Sequence, residues 1–248
     1  MKPFLFLGTR AEDEAADDEY AAVLRCAGLD ERDLRRVRLE RDPLADAVGA
    51  VDLDDWSGVM LGGGPFNSSD PEDTKSRTQL RVEADLRGLA AQVIDADAPF
   101  LGACYGVGVL GGLRGGVVDR TYGEPIGCVE ITLTAEGERD PLLGRLPRQF
   151  AAFLGHKEAV RELPAGAVLL ASSTTCPVQA FRLGQNVYAT QFHPELDVEG
   201  LCTRVEVYRH HGYFPPGEVR DLQDMARRSV VTEPARILAG FVERYARA

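Results

Sequence analysis

The sequence lacks a membrane-length apolar run, a frame of paired cysteines and an excess of positive charge. Nowhere in its 248 residues do apolar side chains run for the roughly 20 positions that a membrane-spanning helix needs. The opening MKPFLFLGTR carries an apolar stretch too short for a secretory signal. A soluble, cytoplasmic protein is expected. The five cysteines, Cys26, Cys104, Cys128, Cys176 and Cys202, are odd in number, widely spaced and include no C-x-x-C pair, so reduced thiols are expected in place of disulfides. The four histidines, His156, His193, His210 and His211, form no H-E-x-x-H pattern and share no ligand spacing with the cysteines, so no metal site is expected. With 28 Lys and Arg against 39 Asp and Glu, the net charge of −11 has the wrong sign for a polyanion binder. Nucleic acid and anionic membrane surfaces are therefore excluded as partners.

What is present is enough chain, 44% of it hydrophobic, to bury the core of one large domain. The first half alternates short apolar runs with longer helical stripes, the pattern of βαβ units and a parallel sheet. Phe4 to Leu7 is a strand closed by Gly8, and Ala16, Tyr20, Val23, Leu24 and Ala27 form one helical stripe that Gly28 ends. Residues 58–64 form a strand that runs into a glycine cluster. Val82, Leu86, Leu89, Ala90 and Val93 repeat the helical stripe, and residues 99–103 are the next strand. From about Gly127 the runs CVEITLT, QFAAFLG, VLLASST, PVQAFRL and NVYATQF are β-rich, so an α/β core continues into more strands of a single mixed sheet. After Glu195 a break at residues 212–217 precedes two helical patterns, the last capped by Thr232, with Pro234 in its first turn and Ile237, Leu238, Phe241, Val242 and Tyr245 as its buried stripe. There are no internal repeats or low-complexity tracts.

Three segments carry chemistry. Gly102-Ala103-Cys104-Tyr105-Gly106 reads G-x-C-x-G where a strand turns sharply into a helix, the cysteine version of a nucleophile elbow. Small residues two before and two after the nucleophile let the backbones pass, and the thiol is held over the positive end of the following helix. Taken alone, the pentapeptide is equally compatible with a buried structural thiol. Gln191-Phe192-His193-Pro194-Glu195 supplies an imidazole to take the thiol proton and a carboxylate to orient that imidazole. In extended chain, residues two apart face the same side, and Pro194 biases His193 to that conformation. Gly62-Gly63-Gly64-Pro65 places exposed backbone N–H groups at a strand end, the donors an oxyanion hole requires, and the Tyr105 N–H can complete it. A phosphate-binding loop is excluded because no G-K-[ST] or G-x-G-x-x-G follows.

Together these segments resemble the class I glutamine amidotransferases, most closely the amidotransferase domain of GMP synthase and its stand-alone relatives. The resemblance rests on GGGP at 62–65, GACYG at 102–106, GHKEAV at 155–160, LPAG at 163–166, TTCPVQAF at 174–181 and QFHPE at 191–195. It implies an α/β fold with a mostly parallel, flavodoxin-like central sheet flanked by helices, a small additional antiparallel sheet and a C-terminal helical extension. Residues 1–198 are then the amidotransferase domain and 199–248 the extension packed on it. It further implies that Cys104 attacks the side-chain amide of glutamine, His193 acts as acid and base, Glu195 orients it, and the Gly64 and Tyr105 amides hold the oxyanion of a γ-glutamyl thioester intermediate. Gly63, Gly108, His156 and Glu158 are candidate substrate-pocket residues, the last two as the S-H-x-D segment of the family or as a structural loop. No cofactor is implied. The partners implied are glutamine or another γ-glutamyl small molecule and a separate ammonia-accepting synthase subunit.

Two departures qualify the match. The family has a glutamine four residues after the nucleophile where this chain has Gly108, which makes room for a bulkier γ-glutamyl compound or for a different contact. The S-G-G-x-D-S pyrophosphatase loop of a complete GMP synthase is absent, so any synthase activity is expected on another chain. The readings that stay open are a glutaminase, a γ-glutamyl peptidase or hydrolase with the same nucleophile, and a regulatory subunit with a degenerate site.

Overall fold

In the computed structural model, which describes residues 1–247, β1 (Phe4–Gly8) is buried along its whole length and leads through Thr9 and Arg10 into α1 (Asp13–Ala27). Gly28 closes α1 in the left-handed conformation, at φ 66°. Then follow β2 (Leu34–Arg38), α2 (Leu44–Val48), β3 (Val59–Leu61), α3 (Arg77–Ala96), β4 (Phe100–Ala103) and α4 (Tyr105–Gly111). The second half contains β5 (Val117–Asp119), β6 (Glu124–Leu133), α5 (Ala135–Arg139), β7 (Gln149–His156), β8 (Ala159–Glu162), β9 (Val168–Ser172), β10 (Ala180–Leu183) and β11 (Val187–Thr190). It ends with α6 (Val198–Val207), α7 (Val219–Arg228) and α8 (Ala235–Tyr245).

Nine strands form one sheet in the order β2-β1-β3-β4-β11-β10-β9-β6-β7, and β5 with β8 forms a separate antiparallel pair. The strands from β2 to β11 run parallel, and β10, β9, β6 and β7 continue the sheet antiparallel. Alternation along β1 divides the core. Phe4 and Phe6 face a cluster with Tyr188, Phe192 and the α8 residues Ile237 and Phe241, whereas Leu5 and Leu7 face Val82, Leu86, Leu89 and Phe100 beneath α3. A smaller cluster joins α6 and α7 to β7 through Phe153, Leu201, Val205, Val219 and Ala226.

Registry sets the position of the site. Leu61 lies beside Gly102, and Ala103 beside Thr190, so the loops after β3, β4 and β11 leave the sheet side by side at its carboxyl edge. Those loops carry Gly62–Gly64, Cys104 and Gln191–Glu195.

Three elements differ from the sequence pattern. β2 has only two buried apolar side chains, Leu34 and Val37, between arginines, and survives as an edge strand whose Arg36 and Arg38 pair with Asp17 and Asp13. α6 is concealed in the sequence between a motif and a break. At the last helix, Thr232 is not the cap: its hydroxyl turns to the Glu233 carboxylate at 3.4 Å, and α8 starts from Pro234 with no side-chain cap.

Candidate active site

Cys104 begins α4 with φ 51° and ψ −85°, a positive φ that a residue with a side chain rarely adopts. The conformation is fixed from both sides: the Cys104 N–H donates to Thr190 O at 2.7 Å, and Val107 N donates to Cys104 O at 2.9 Å. The flanking glycines are needed because a Cβ on Gly102 would lie 2.8 Å from Gly106 Cα. Burial pushes the Cys104 thiol up to about 12 against the pull of Arg10, with Glu195 and Glu158 adding to the rise and Arg204 opposing it. The resting sulfur therefore carries its proton and needs a base to become a nucleophile.

An imidazole stands on the wall of the same cavity, in the loop after β11. The His193 N–H donates to Phe153 O at 3.1 Å, and the ring packs on Gly63, where a Cβ would lie 3.3 Å from Nε2. Nδ1 stands 2.8 Å from Glu195 Oε1. Facing a carboxylate, Nδ1 carries the hydrogen, which leaves Nε2 as the acceptor. Burial lowers the His193 pKa and Glu195 raises it, while Arg204 and Arg10 add to the lowering, so the imidazole is neutral at neutral pH. Burial alone would raise Glu195, but His193 and Arg204 hold it far below the usual carboxylate range.

Arg10, Gly64, Cys104, His193, Arg204 and Tyr213 line a common cavity of about 60 Å³. Tyr213, with Ile126 and Gly155, also lines an outer cavity of about 330 Å³ that contains Lys157 and Arg120. The Lys157 ammonium sits 4.4 Å from the centre of the Tyr213 ring. Tyr208 accepts a hydrogen bond from Arg10 at 3.2 Å. No motif in the sequence marked Arg10, Glu19 or Arg204, because each is a charged side chain on a loop or helix with no neighbouring pattern.

The remaining predicted residues divide. Gly64 lines the cavity, and among the described residues neither its N–H nor that of Tyr105 donates to another backbone group. Gly63 seats the His193 ring and accepts from Thr9 Oγ1 at 3.1 Å. Gly108, His156 and Glu158 face elsewhere. The Glu158 carboxylate accepts from Ser68 N at 2.8 Å and Ser69 N at 2.7 Å, and its Oε1 lies 2.7 Å from where a Gly108 Cβ would stand. The Glu158 carboxylate and Ser68 occupy the place that a Gly108 side chain would take, and Gly108 lines a separate cavity of about 200 Å³ with Ser68 and Lys75. His156 bonds through Nε2 to Glu124 Oε2 and through Nδ1 to Glu158 O, both at 2.8 Å. Burial would raise Glu124, but His156, Thr175 and Gln179 hold it below the ordinary carboxylate value. This buried network ties the GHKEAV segment to TTCPVQAF.

Among the described residues two groups bring potential metal donors together, Glu124 with His156 and Cys176, and Glu19 with His193 and Glu195. In the first, Glu124 already accepts from His156, Thr175 and Gln179, and in the second Arg10 and Arg204 set positive charge against any cation.

The family model for glutamine amidotransferase class-I matches residues 31–213. Over 169 residues the chain is 28% identical to a subunit of the glutamine-hydrolyzing GMP synthase of Natronomonas pharaonis, an alignment spanning 68% of this chain and 81% of that protein. The corresponding GMP synthase subunit of Haloarcula marismortui is 30% identical over 169 residues, spanning 68% of this chain and 79% of that one. A crystal structure of a glutamine amidotransferase from Thermotoga maritima matches with a TM-score of 0.76 at 20% identity, covering 100% of both chains, a likeness of fold.

Proposed function

The chain belongs to the class I glutamine amidotransferases, and from that premise we propose that it hydrolyses the side-chain amide of glutamine through Cys104, His193 and Glu195. His193 Nε2 takes the Cys104 proton as Sγ attacks the amide carbon. The Gly64 and Tyr105 N–H groups receive the oxygen that becomes negative. His193 returns the proton to the nitrogen, ammonia leaves, and the γ-glutamyl thioester is cleaved by a water that gives its proton to His193. Glu195 keeps the Nδ1 hydrogen in place throughout and balances the imidazolium. The observation that carries this reading is the shared cavity, with a strained, protonated thiol and a neutral histidine bonded to a buried carboxylate on its wall. The relatives are named as subunits of a glutamine-hydrolyzing GMP synthase, and on that likeness the ammonia passes to a separate synthase chain.

A second reading, cleavage of a larger γ-glutamyl compound, is favoured by the adjoining outer cavity, where Lys157 is a cation without a carboxylate partner among the described residues, whereas Arg120 is paired with Asp70 at 2.6 Å. Glutamate release from glutamine by the purified chain, measured beside Cys104→Ala, tests the proposal. Release in the parent that disappears in the variant is expected. Equal release from both would overturn the assignment of the nucleophile, and release from γ-glutamyl peptides alone would select the second reading.

A further inference from the structure

We propose that Arg204, on α6, is a positioning residue of this site, holding Glu195 in line with His193 and balancing the charge beside the imidazole. The inference rests on the reading of Cys104, His193 and Glu195 as the reacting groups.

Four buried charges form a chain behind His193. Arg10 Nε lies 3.0 Å from Glu19 Oε1, Glu19 Oε1 lies 3.3 Å from Arg204 Nη2, and Arg204 Nη2 lies 2.7 Å from Glu195 Oε1. The arginine and His193 converge on the same oxygen, since Glu195 Oε1 is also the atom bonded to Nδ1 at 2.8 Å. Arg204 Nη1 stands 3.1 Å from that same Nδ1. All four side chains are at most 7% exposed. Two guanidinium groups and two carboxylates leave the cluster neutral, which a water-poor site requires.

A salt bridge serving only to dock α6 could sit anywhere along the helix. This one shares an oxygen with the histidine, and its guanidinium lines the Cys104 cavity. The groups around His193 are Glu195 from its own loop, Arg204 and Tyr208 from α6 and its end, Arg10 from the loop after β1, Glu19 from α1, Cys104 from the elbow and Tyr213 from the following segment. Of these, Arg204 is the cation bonded to Glu195. Without it, Glu195 presents an unbalanced negative charge to the imidazole, which then keeps a second proton to higher pH and is lost as a base.

The test uses the full chain as Arg204→Met, Arg204→Lys and Glu19→Gln. Two profiles are recorded against pH: kcat/KM for glutamate release, and the rate at which iodoacetamide alkylates Cys104, followed on the Cys104 peptide by mass spectrometry. The second needs no substrate. In Arg204→Met the acid limb of both profiles should move up by about one pH unit or more, and Arg204→Lys should restore most of it. Glu19→Gln, which removes a negative charge, should move the limb the opposite way and keeps the test open if Arg204→Met does not fold. Lower activity or stability with unmoved acid limbs would overturn the proposal and leave Arg204 a structural tie. Because Arg204 also acts on the thiol directly, a shifted alkylation limb in a protein that releases no glutamate would uphold it, while the glutamine reading fell, only if the shift disappears when His193→Gln is added; a shift that persists would overturn it.

Discussion

Cys104 and His193 are held in states that cost stability, one in its backbone and one in its protonation. A positive φ at a residue other than glycine costs on the order of 1–3 kcal/mol, and here the crossing of Gly102 and Gly106 and the Thr190 hydrogen bond sustain it. The neutrality of His193 has a consequence for pH. Its folded pKa lies below the ordinary 6.5 through burial, with Arg204 and Arg10 in support against Glu195. Above that ordinary value both folded and unfolded chains hold the imidazole neutral. Below it the unfolded chain takes up a proton that the folded chain resists, so stability is full above about pH 6.5 and is lost as the pH falls. Denaturant midpoints measured from about pH 7 to about pH 5 should decline, and His193→Gln should flatten part of that decline. Identical slopes in the two proteins would show that His193 is not buried as a neutral group.

At the scale of elements, α6 connects local stability to the site. Asp197 caps it, accepting from Gly200 N at 2.8 Å, and pairs with Arg25 at 2.6 Å. Asp197→Ala should cost about 1 kcal/mol and lower glutamate release by loosening the helix that holds Arg204, while Asp197→Ser should retain most of both. Unchanged urea midpoints in the alanine variant would show that the cap contributes nothing. The same helix marks the limit of what the sequence discloses. β1, α1, β3, α3 and β4 are legible because each buries a full face, giving an unbroken apolar run or a complete helical stripe. β2 is short and its two buried apolar residues are divided by arginines, whereas α6 carries Val198, Leu201, Cys202 and Val205 at helical spacing and is hidden only by its place between the QFHPE motif and the break at 212–217. The site divides in the same way. Cys104, His193 and Glu195 stand in motifs whose spacing follows from local geometry. Arg10 and Glu19 come from the stretch after β1 and Arg204 from α6, far apart in the chain, and a lone charge on a helix reads as a solvated face until the fold turns it inward.

At the scale of the molecule, residues beyond Glu195 are bound to the core at several points. α8 places Ile237, Leu238 and Phe241 in the same apolar cluster as Phe4 and Phe6, with Phe4 and Phe241 ring centres 6.0 Å apart. Beyond it, Lys2 N donates to Arg247 O at 2.9 Å and Arg247 N to Ser57 Oγ at 3.1 Å. The cavity itself takes Arg204, Tyr208 and Tyr213 from this part of the chain. C-terminal helices so placed should not unfold independently, because their release would expose core from both sides of the contact. Trp56, the only tryptophan, adjoins Ser57 and so lies next to the point where the C-terminal end docks. Its fluorescence, far-UV ellipticity and glutamate release should therefore be lost along one coincident thermal curve. A fluorescence change preceding the loss of ellipticity would mean that the C-terminal helices leave first, and that the pocket around Cys104 is assembled only after they dock.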